Sequence, residues 1–260
     1  MRRMLLGLMM VMGMSGTTMG GWAYEYSGSA TGLQADVTLL ALPVAQAGPL
    51  PAWGGADSTT VASAGISIPL VLGSYDLVET GVLSSSTDGG NAVVGQTGSH
   101  SSVANISLLD GLVQVTAVSS TAIAQFNTTT GIGSFSGDSV ITGLTIGGNA
   151  VTLTGPNQTV SIELLGVTIA SLTINEQISS ISPDGQNVSM TVNALHLQVL
   201  GIPGVLSVAD VIIGQSKAGV IQHVPEPSSF AMVLGAFAVG GGWKFARRKK
   251  ADSTDAEATV

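Results

Sequence analysis

Apolar and polar residues alternate along much of the chain between residues 24 and 223, a pattern typical of half-buried β-strands. The clearest case is a predicted hairpin that turns at Asp110-Gly111. Pairing 108 with 113, 106 with 115 and 104 with 117 places six apolar residues on one face: Ala104, Ile106, Leu108, Val113, Val115 and Ala117. The alternation and the turn residues thus predict the same register.

Other stretches repeat this period of two. They predict strands over 33–39, 192–199 and 208–213, and two further hairpins that turn at 147–149 and at 165–166. No amphipathic helical period appears between residues 24 and 223. At least eight short strands with frequent turns predict an all-β domain, an antiparallel sandwich or a barrel-like sheet.

Two segments rich in Gly, Ser, Ala and Pro interrupt the alternation, over residues 45–60 and 84–102. Neither composition offers a continuous apolar face, so both are predicted to be surface loops. The composition supports strands elsewhere, because 45% of residues are hydrophobic and only 4% are aromatic, which leaves small branched side chains to fill the core. The chain has no cysteine, so its core holds together without disulfides.

The N-terminus has the order of a secretory signal. Arg2 and Arg3 precede an eleven-residue apolar run, Met4–Met14, which is too short to span a bilayer. Small residues at Gly21 and Ala23 predict cleavage between Ala23 and Tyr24. Residues 1–23 are therefore predicted to be a signal peptide, and residues 24–223 an extracytoplasmic domain.

The C-terminus carries three features in sequence. A Pro225-Glu226-Pro227 motif precedes an apolar run, 230–243, and the run precedes a basic cluster of Arg247, Arg248, Lys249 and Lys250. A basic cluster prefers the cytoplasmic side, so this order predicts a stop-transfer helix over 230–246 and an acidic cytoplasmic tail over 251–260. Such a helix reaches only about 24 Å, short of a hydrocarbon core of roughly 30 Å. A marginal anchor suits a segment that is recognised and then removed.

These three features together resemble the PEP-CTERM sorting signal, over residues 224–250. That signal is read by an exosortase in Gram-negative bacteria that make extracellular polysaccharide, and it is also associated with ice-binding proteins. The resemblance implies an exosortase, the secretion machinery and the membrane as partners, with extracellular polysaccharide as a further one. It implies an exported protein that is anchored in the inner membrane at least transiently and then reaches the cell surface or the medium. The acidic tail after the basic cluster departs from the usual pattern.

The body of the chain is similar to the choice-of-anchor P family, in which exported proteins share a body and differ in their anchors. Four segments carry the similarity: 102–105 with the hairpin that follows, 173–177, 192–197 and 209–214. The similarity implies no catalytic residue.

Charge is distributed unevenly along the chain. Between Tyr24 and Val224 there are twelve acidic residues and one basic residue, Lys217, a formal net charge of −11. Seven of the eight basic residues lie in the two terminal signals. A domain with this negative charge should repel the phosphates of nucleic acids. We therefore expect no nucleic-acid partner.

His196 is the strongest candidate for chemistry. Alternation places it opposite the face of Leu195 and Leu197, and Glu176 and Asp210 lie nearby in the segments that carry the family similarity. His196 could be half of an acid/base or metal pair, or it could be a partly exposed structural histidine bonded to a strand neighbour. We favour the structural histidine. The other two histidines, His100 and His223, lie far from it in the sequence.

Other signals for chemistry are weaker. There is no Gly-x-Ser-x-Gly elbow, and the glycine-rich stretch 131–137 lacks the lysine of a phosphate loop. Asp88, Asp110 and Asp184 each precede a glycine in an isolated turn rather than in a calcium loop. We therefore predict no enzyme activity, no cofactor and no metal site.

Three functional classes remain open from the sequence. The favoured one is a structural or adhesive protein of the cell surface or extracellular matrix. The second is an extracellular module that binds ice or polysaccharide, for which Thr152-Leu153-Thr154 is the one clear Thr-x-Thr element. The third is an exported enzyme, which would need polar groups that converge in a pocket.

Overall fold

The structure is a computed structural model that describes residues 23–37, 40–70, 73–91, 94–127, 129–200 and 209–223. Residues Tyr24–His223 form one compact unit. The predicted signal peptide up to residue 22, the sorting segment 224–250 and the tail 251–260 lie outside the described residues. Within the described ranges, no helix is long and apolar enough to cross a membrane. The predicted membrane helix over 230–246 falls outside them.

The described chain is built from strands, as the alternation predicted. In chain order they are β1 Ala23–Val37, β2 Leu40–Ala47, β3 Gly55–Val61, β4 Ala64–Leu70, β5 Gly73–Thr80, β6 Leu83–Asn91, β7 Val94–Leu108, β8 Val113–Phe126, β9 Gly133–Thr142, β10 Thr145–Ile146, β11 Asn149–Ala150, β12 Gln158–Leu164, β13 Val167–Ile181, β14 Asn187–Val199 and β15 Ala209–His223. The strand pairs whose register is resolved are antiparallel. The all-β prediction is confirmed.

The strands form two sheets. One has six strands in the order β12-β13-β14-β15-β1-β2. The other has nine, in which β11-β10-β8-β7-β5-β4 form a path, β6 pairs with β3 and β7, and β9 pairs with β8. Buried side chains of both sheets meet in shared clusters, an arrangement consistent with a sandwich.

A row of unpaired positions, the interruption row, crosses each sheet. Asn105, with φ 53°, lies between the pairs Ala104↔Ala117 and Ile106↔Val115, and the register is the same on both sides of it. In the six-stranded sheet, Asn175 and Gly214 have φ values of 50° and 66° and interrupt the ladders in the same way. On β7, β14 and β15 the alternation of buried and exposed side chains changes phase at the interruption, although the register does not shift.

The interruption at Asn105 explains where the hairpin prediction failed. The turn at Asp110-Gly111 is confirmed, with φ values of 57° and 81° at the two residues, as a type I′ turn requires. The predicted pairing, 104 with 117, 106 with 115 and 108 with 113, is also confirmed. Ala104 and Ala117, however, are only half-buried, because the phase changes between them and the buried inner residues of the same strands.

The two other hairpins were predicted correctly in part. Leu164 pairs with Val167 across the turn 165–166, but a bulge between Ile162 and Glu163 follows at once. The turn at 147–149 is tighter than predicted, since Ile146 pairs with Asn149 and the strand β11 ends at Ala150.

The core falls into two clusters of buried side chains. The larger cluster contains most of the buried aliphatic side chains, among them Leu33, Leu108 and Leu195. The smaller one contains Tyr26 and Phe126, with the partly buried Tyr24 packed against it. Burial raises the pKa of the Tyr26 hydroxyl, and the neighbouring Tyr24 raises it further.

Hydroxyl groups fill the space between the two clusters. Ser99 Oγ donates to the Lys217 carbonyl at 2.6 Å, and Thr97 Oγ1 donates to the Gly219 carbonyl at 3.1 Å. Both bonds join the nine-stranded sheet to the backbone of β15, so the sheets approach closely here. A side chain at Gly28 would collide with the Thr87 hydroxyl. This part of the core is polar, and hydrogen bonds connect the two sheets across it.

The prediction that 84–102 is a surface loop was therefore wrong. Most of the segment belongs to β6 and β7, and Ser85, Thr87 and Ser101 in it are buried. Serine and threonine are buried because each hydroxyl finds a partner in the facing sheet or strand. The prediction for 45–60 was partly wrong, since β2 extends to Ala47 and β3 begins at Gly55.

Candidate functional site

A polar cluster joins three adjacent strands of the six-stranded sheet. Glu176 lies on β13, Asn193 and His196 on β14, and Asp210 and Gln215 on β15. Asn193 and Gln215 are buried, with 3% and 5% exposure, while the His196 side chain is 15% exposed. The structure thus brings together the three residues His196, Glu176 and Asp210 that the sequence had suggested as a group.

His196 lies between the two carboxylates. Its Nδ1 is 2.9 Å from Glu176 Oε2, and its Nε2 is 2.8 Å from Asp210 Oδ1. The same Glu176 oxygen accepts a hydrogen bond from Asn193 Nδ2 at 2.6 Å. Asn193 Oδ1 in turn accepts one from Gln215 Nε2 at 2.8 Å. Every side chain of the cluster is therefore connected to at least one of the others.

The interruption row explains why Asn193 and His196 share a face. Strict alternation would place residues 193 and 196 on opposite faces, since they are three positions apart. The ladder runs from Asn193↔Glu176 to Leu195↔Ile174, with Ala194 and Asn175 left unpaired between them. The core-facing positions are even up to 192 and odd from 195, so residues 193 and 196 both lie on the face opposite the core. Asn193 and Gln215 were missed in the sequence because the change of phase was not recognised.

The geometry favours a structural role for the imidazole. Each ring nitrogen of His196 lies within hydrogen-bond distance of a carboxylate oxygen, Nδ1 of Glu176 and Nε2 of Asp210. Neither nitrogen is therefore free to reach the proton of a substrate. The ring instead acts as a cross-link between β13, β14 and β15.

The cluster does not fit a metal ion. Glu176 and Asp210 contact opposite nitrogens of one ring, so their oxygens do not converge with a nitrogen on a common point. No group of three histidine, cysteine or acidic side chains suited to a metal is found in the part of the chain that the structure describes.

The other histidines lie apart from this cluster. His100 is exposed on β7, not on a loop as predicted, and its Nδ1 is 3.3 Å from Thr121 Oγ1. His223 is exposed at the end of β15, with its Nε2 3.3 Å from Glu25 Oε2. Among the described residues, neither His100 nor His223 makes a hydrogen bond to the His196 cluster.

The three Asp-Gly elements are also separate. Asp88 lies within β6, Asp110 in the β7–β8 turn, and Asp184 in the turn between β13 and β14. A hydrogen bond from the Ser182 hydroxyl, with a second from the Gln186 backbone N–H, holds the pKa of Asp184 below its usual value. The Asp184 carboxylate therefore stabilises the turn in which it lies. The three carboxylates lie on separate elements and do not form a shared calcium site.

The predicted sorting residues lie almost entirely beyond the described part. Pro225, Glu226 and Pro227 and the basic residues Arg247, Arg248, Lys249 and Lys250 are outside the described residues. Of the predicted cleavage site, Ala23 is the first residue of β1. The Tyr24 ring packs with its centroid 6.0 Å from that of Phe126.

Comparison of the chain with family models, with curated proteins and with solved structures finds no match. The two family resemblances in the sequence accordingly stay predictions.

Replacing His196 by alanine is expected to lower the free energy of unfolding of the unit 24–223 by about 2 kcal/mol, because two hydrogen bonds to carboxylates are lost. Thermal unfolding followed by circular dichroism measures this change. The matched control is His223→Ala, whose exposed contact with Glu25 should contribute less than about 0.5 kcal/mol. Equal stability of the His196 variant and the native chain would contradict the cross-link.

Proposed function

We propose that this protein is an exported structural or adhesive component of the cell surface or extracellular matrix, sorted by an exosortase through its C-terminal segment. The observation that carries the proposal is the order of three unrelated features after the β unit: Pro225-Glu226-Pro227, the apolar run 230–243 and the basic cluster 247–250. In this account the helix over 230–246 holds the chain in the membrane before its removal, and the signal peptide 1–23 starts its export.

The two ends of the compact unit support this topology. The unit spans Tyr24–His223, and the two predicted processing segments begin just outside it. His223 Nε2 lies 3.3 Å from Glu25 Oε2, so the start of β1 and the end of β15 lie close together. Removal of either terminal segment would leave the strand ladders of the unit intact.

The His196 cluster supports a structural role over an enzymatic one. Its imidazole has a carboxylate at each nitrogen, Asn193 donates to Glu176, and Gln215 donates to Asn193. A catalytic base needs a nitrogen that can reach the proton of a substrate. The cluster instead links three neighbouring strands of the sheet.

A second candidate function is an extracellular binding module for ice or polysaccharide. Its support comes from the outward face of the nine-stranded sheet, where polar side chains, most of them hydroxyl groups, lie in register across neighbouring strands. One row contains Ser58, Ser86, His100, Thr121 and Asp138. The next contains Thr60, Ser84, Ser102 and Ser119, and ends at the exposed Val140. Thr152 and Thr154, the element expected from the sequence, do not contribute, since they lie outside the strands and bond to Gln158.

A gene deletion separates these functions. For a structural or adhesive component, we expect the deletion strain to lose surface attachment or matrix cohesion, and re-expression of the full chain to restore them. The His196→Ala and His196→Gln variants should restore attachment wherever they still fold, because no chemical step depends on the ring. Normal attachment of the deletion strain, together with turnover of a substrate by the purified protein, would overturn the proposal. Ice-recrystallisation and polysaccharide-sedimentation assays on the purified protein test the second candidate.

A further inference from the structure

One edge of the six-stranded sheet is nearly free of charge. Strand β12, Gln158–Leu164, is the outermost strand on that side among the described strands. In the sequence from 139 to 175, Glu163 is the only charged residue. Edge strands usually carry lysine, proline or other devices that prevent pairing with another chain. Residues 158–162 contain no charged residue and no proline, and the one charge of the strand, Glu163, and the register shift beside it lie near the strand's end.

The register shows which backbone groups of β12 point away from β13. Asn157 N donates to the Asn175 carbonyl at 2.8 Å, and the following residues continue the same register, Gln158↔Ile174 and Ser161↔Ser171. Hydrogen-bonded and non-hydrogen-bonded pairs alternate along an antiparallel ladder. The backbone groups of 157, 159 and 161 therefore face β13. Those of 158, 160 and 162 face outward, where they can bond to another strand.

We propose that β12 pairs with β12 of a second copy of this chain, antiparallel and about a two-fold axis at Ser161. Ser161 is the midpoint of the strand, so this register uses all seven of its residues. It places Val160 opposite Ile162 of the second copy, and both residues have outward backbone groups. These two symmetric pairs exchange about four main-chain hydrogen bonds. The result is one continuous sheet that runs through both copies.

The side chains agree with this register. Val160 and Ile162 both point to the inner face of the sheet, and Ile162 is fully buried there, so the apolar layer of one copy continues into that of the other. On the outer face, Ser161 meets its own counterpart. Glu163 comes opposite Thr159 of the second copy, so the pairing places no two like charges opposite each other.

Exposed leucines flank the edge strand at both ends. Leu153, before the strand, is 40% exposed, and Leu165, after it, is 97% exposed. Gln158 fixes the segment that contains Leu153, since its side chain bonds to the backbone of Thr152 and Thr154. The two-fold axis brings this end of one copy to the Leu165 end of the other, so apolar surface is covered at both ends of the shared strand pair.

Cysteine cross-linking tests the register directly, because the native chain has no cysteine. In the proposed pair, residue 161 faces its counterpart in a non-hydrogen-bonded position, where the side chains come close enough for a disulfide. We expect Ser161→Cys in the full-length chain to give a disulfide-linked dimer on oxidation, resolved by non-reducing electrophoresis of detergent extracts. Its yield should exceed that of the control variants at least about fivefold.

Thr159→Cys is the matched control, since Thr159 is exposed on the same strand and face but lies about 13 Å from its own counterpart in this register. Alone, neither Thr159→Cys nor Glu163→Cys should cross-link, whereas an oxidised mixture of the two variants should. The proposal is overturned if Ser161→Cys yields no dimer, or if Thr159→Cys alone cross-links as well as Ser161→Cys does. The experiment does not depend on export or sorting, so its failure would leave the proposed function standing.

Discussion

Replacing Phe126 by alanine is expected to lower the free energy of unfolding of the unit 24–223 by about 3–5 kcal/mol. Phe126 is 1% exposed and is the largest of the fully buried side chains. It lies in the smaller core cluster with Tyr26, Val188 and Met190, where few other large side chains could move into the space. The loss is therefore the transfer free energy of a benzyl group together with a cavity that stays open.

Circular dichroism in the far ultraviolet is the appropriate probe, because Trp53 is the only tryptophan between residues 24 and 223 and is 82% exposed. For a unit of this size the midpoint of thermal unfolding should fall by about 10 °C. The control is Phe135→Ala on β9, a phenylalanine that is 38% exposed and should cost less than about 2 kcal/mol. Similar effects of the two variants would show that the smaller cluster is not a specific core.

Replacing Pro225, Glu226 and Pro227 together by alanine is expected to keep the protein in the membrane fraction with its C-terminus attached. The apolar run and the basic cluster are unchanged in this variant, so the stop-transfer segment should still insert. Only the feature that resembles the exosortase motif is lost. Fractionation of cells and medium, with immunodetection of the β unit and of the tail, measures the outcome.

The control for that variant changes charges in the tail, Asp252→Asn with Asp255→Asn, which leaves the motif, the apolar run and the basic cluster intact. This control should be distributed between membrane, surface and medium as the native protein is. Normal release of the triple-alanine variant would show that the motif does not direct sorting.

The features that could be predicted from the sequence are local ones. Asp110-Gly111 has the two residue types that a type I′ turn needs, and alternating apolar residues on both sides fixed the pairing of Leu108 with Val113. The turn at 165–166 and the strands over 192–199 and 208–213 follow from similar short-range patterns. These short-range patterns are enough to predict the antiparallel all-β class.

The buried hydroxyls could not be predicted in the same way. Ser99 and Thr97 look like surface residues in sequence, and their burial depends on the carbonyl groups of Lys217 and Gly219, more than a hundred residues away. Composition alone assigns such a segment to a loop. Only the packing of one sheet on the other supplies the hydrogen-bond partners that make its burial favourable.

The interruption rows limited the prediction of the site. His196, Glu176 and Asp210 were recognised as a possible group, but strict alternation would place Asn193 on the face opposite His196. Asn and Gly adopt positive φ more easily than other residues, and Asn175 and Gly214 are the signals that could have indicated the interruptions. A single such residue is a weak signal, because the chain has 35 glycines. The alignment of interruptions on neighbouring strands becomes visible only in the structure.

Mass spectrometry of the protein recovered from the cell surface, the membrane and the medium tests the central proposal most directly, since it defines both termini. We expect a mature chain that starts near Tyr24 and ends near Pro227, without the basic cluster 247–250 and the tail 251–260. A surface or released form that still ends at Val260 would contradict sorting by removal of the C-terminal segment. A form that still begins at Met1 would contradict export through a cleaved signal peptide.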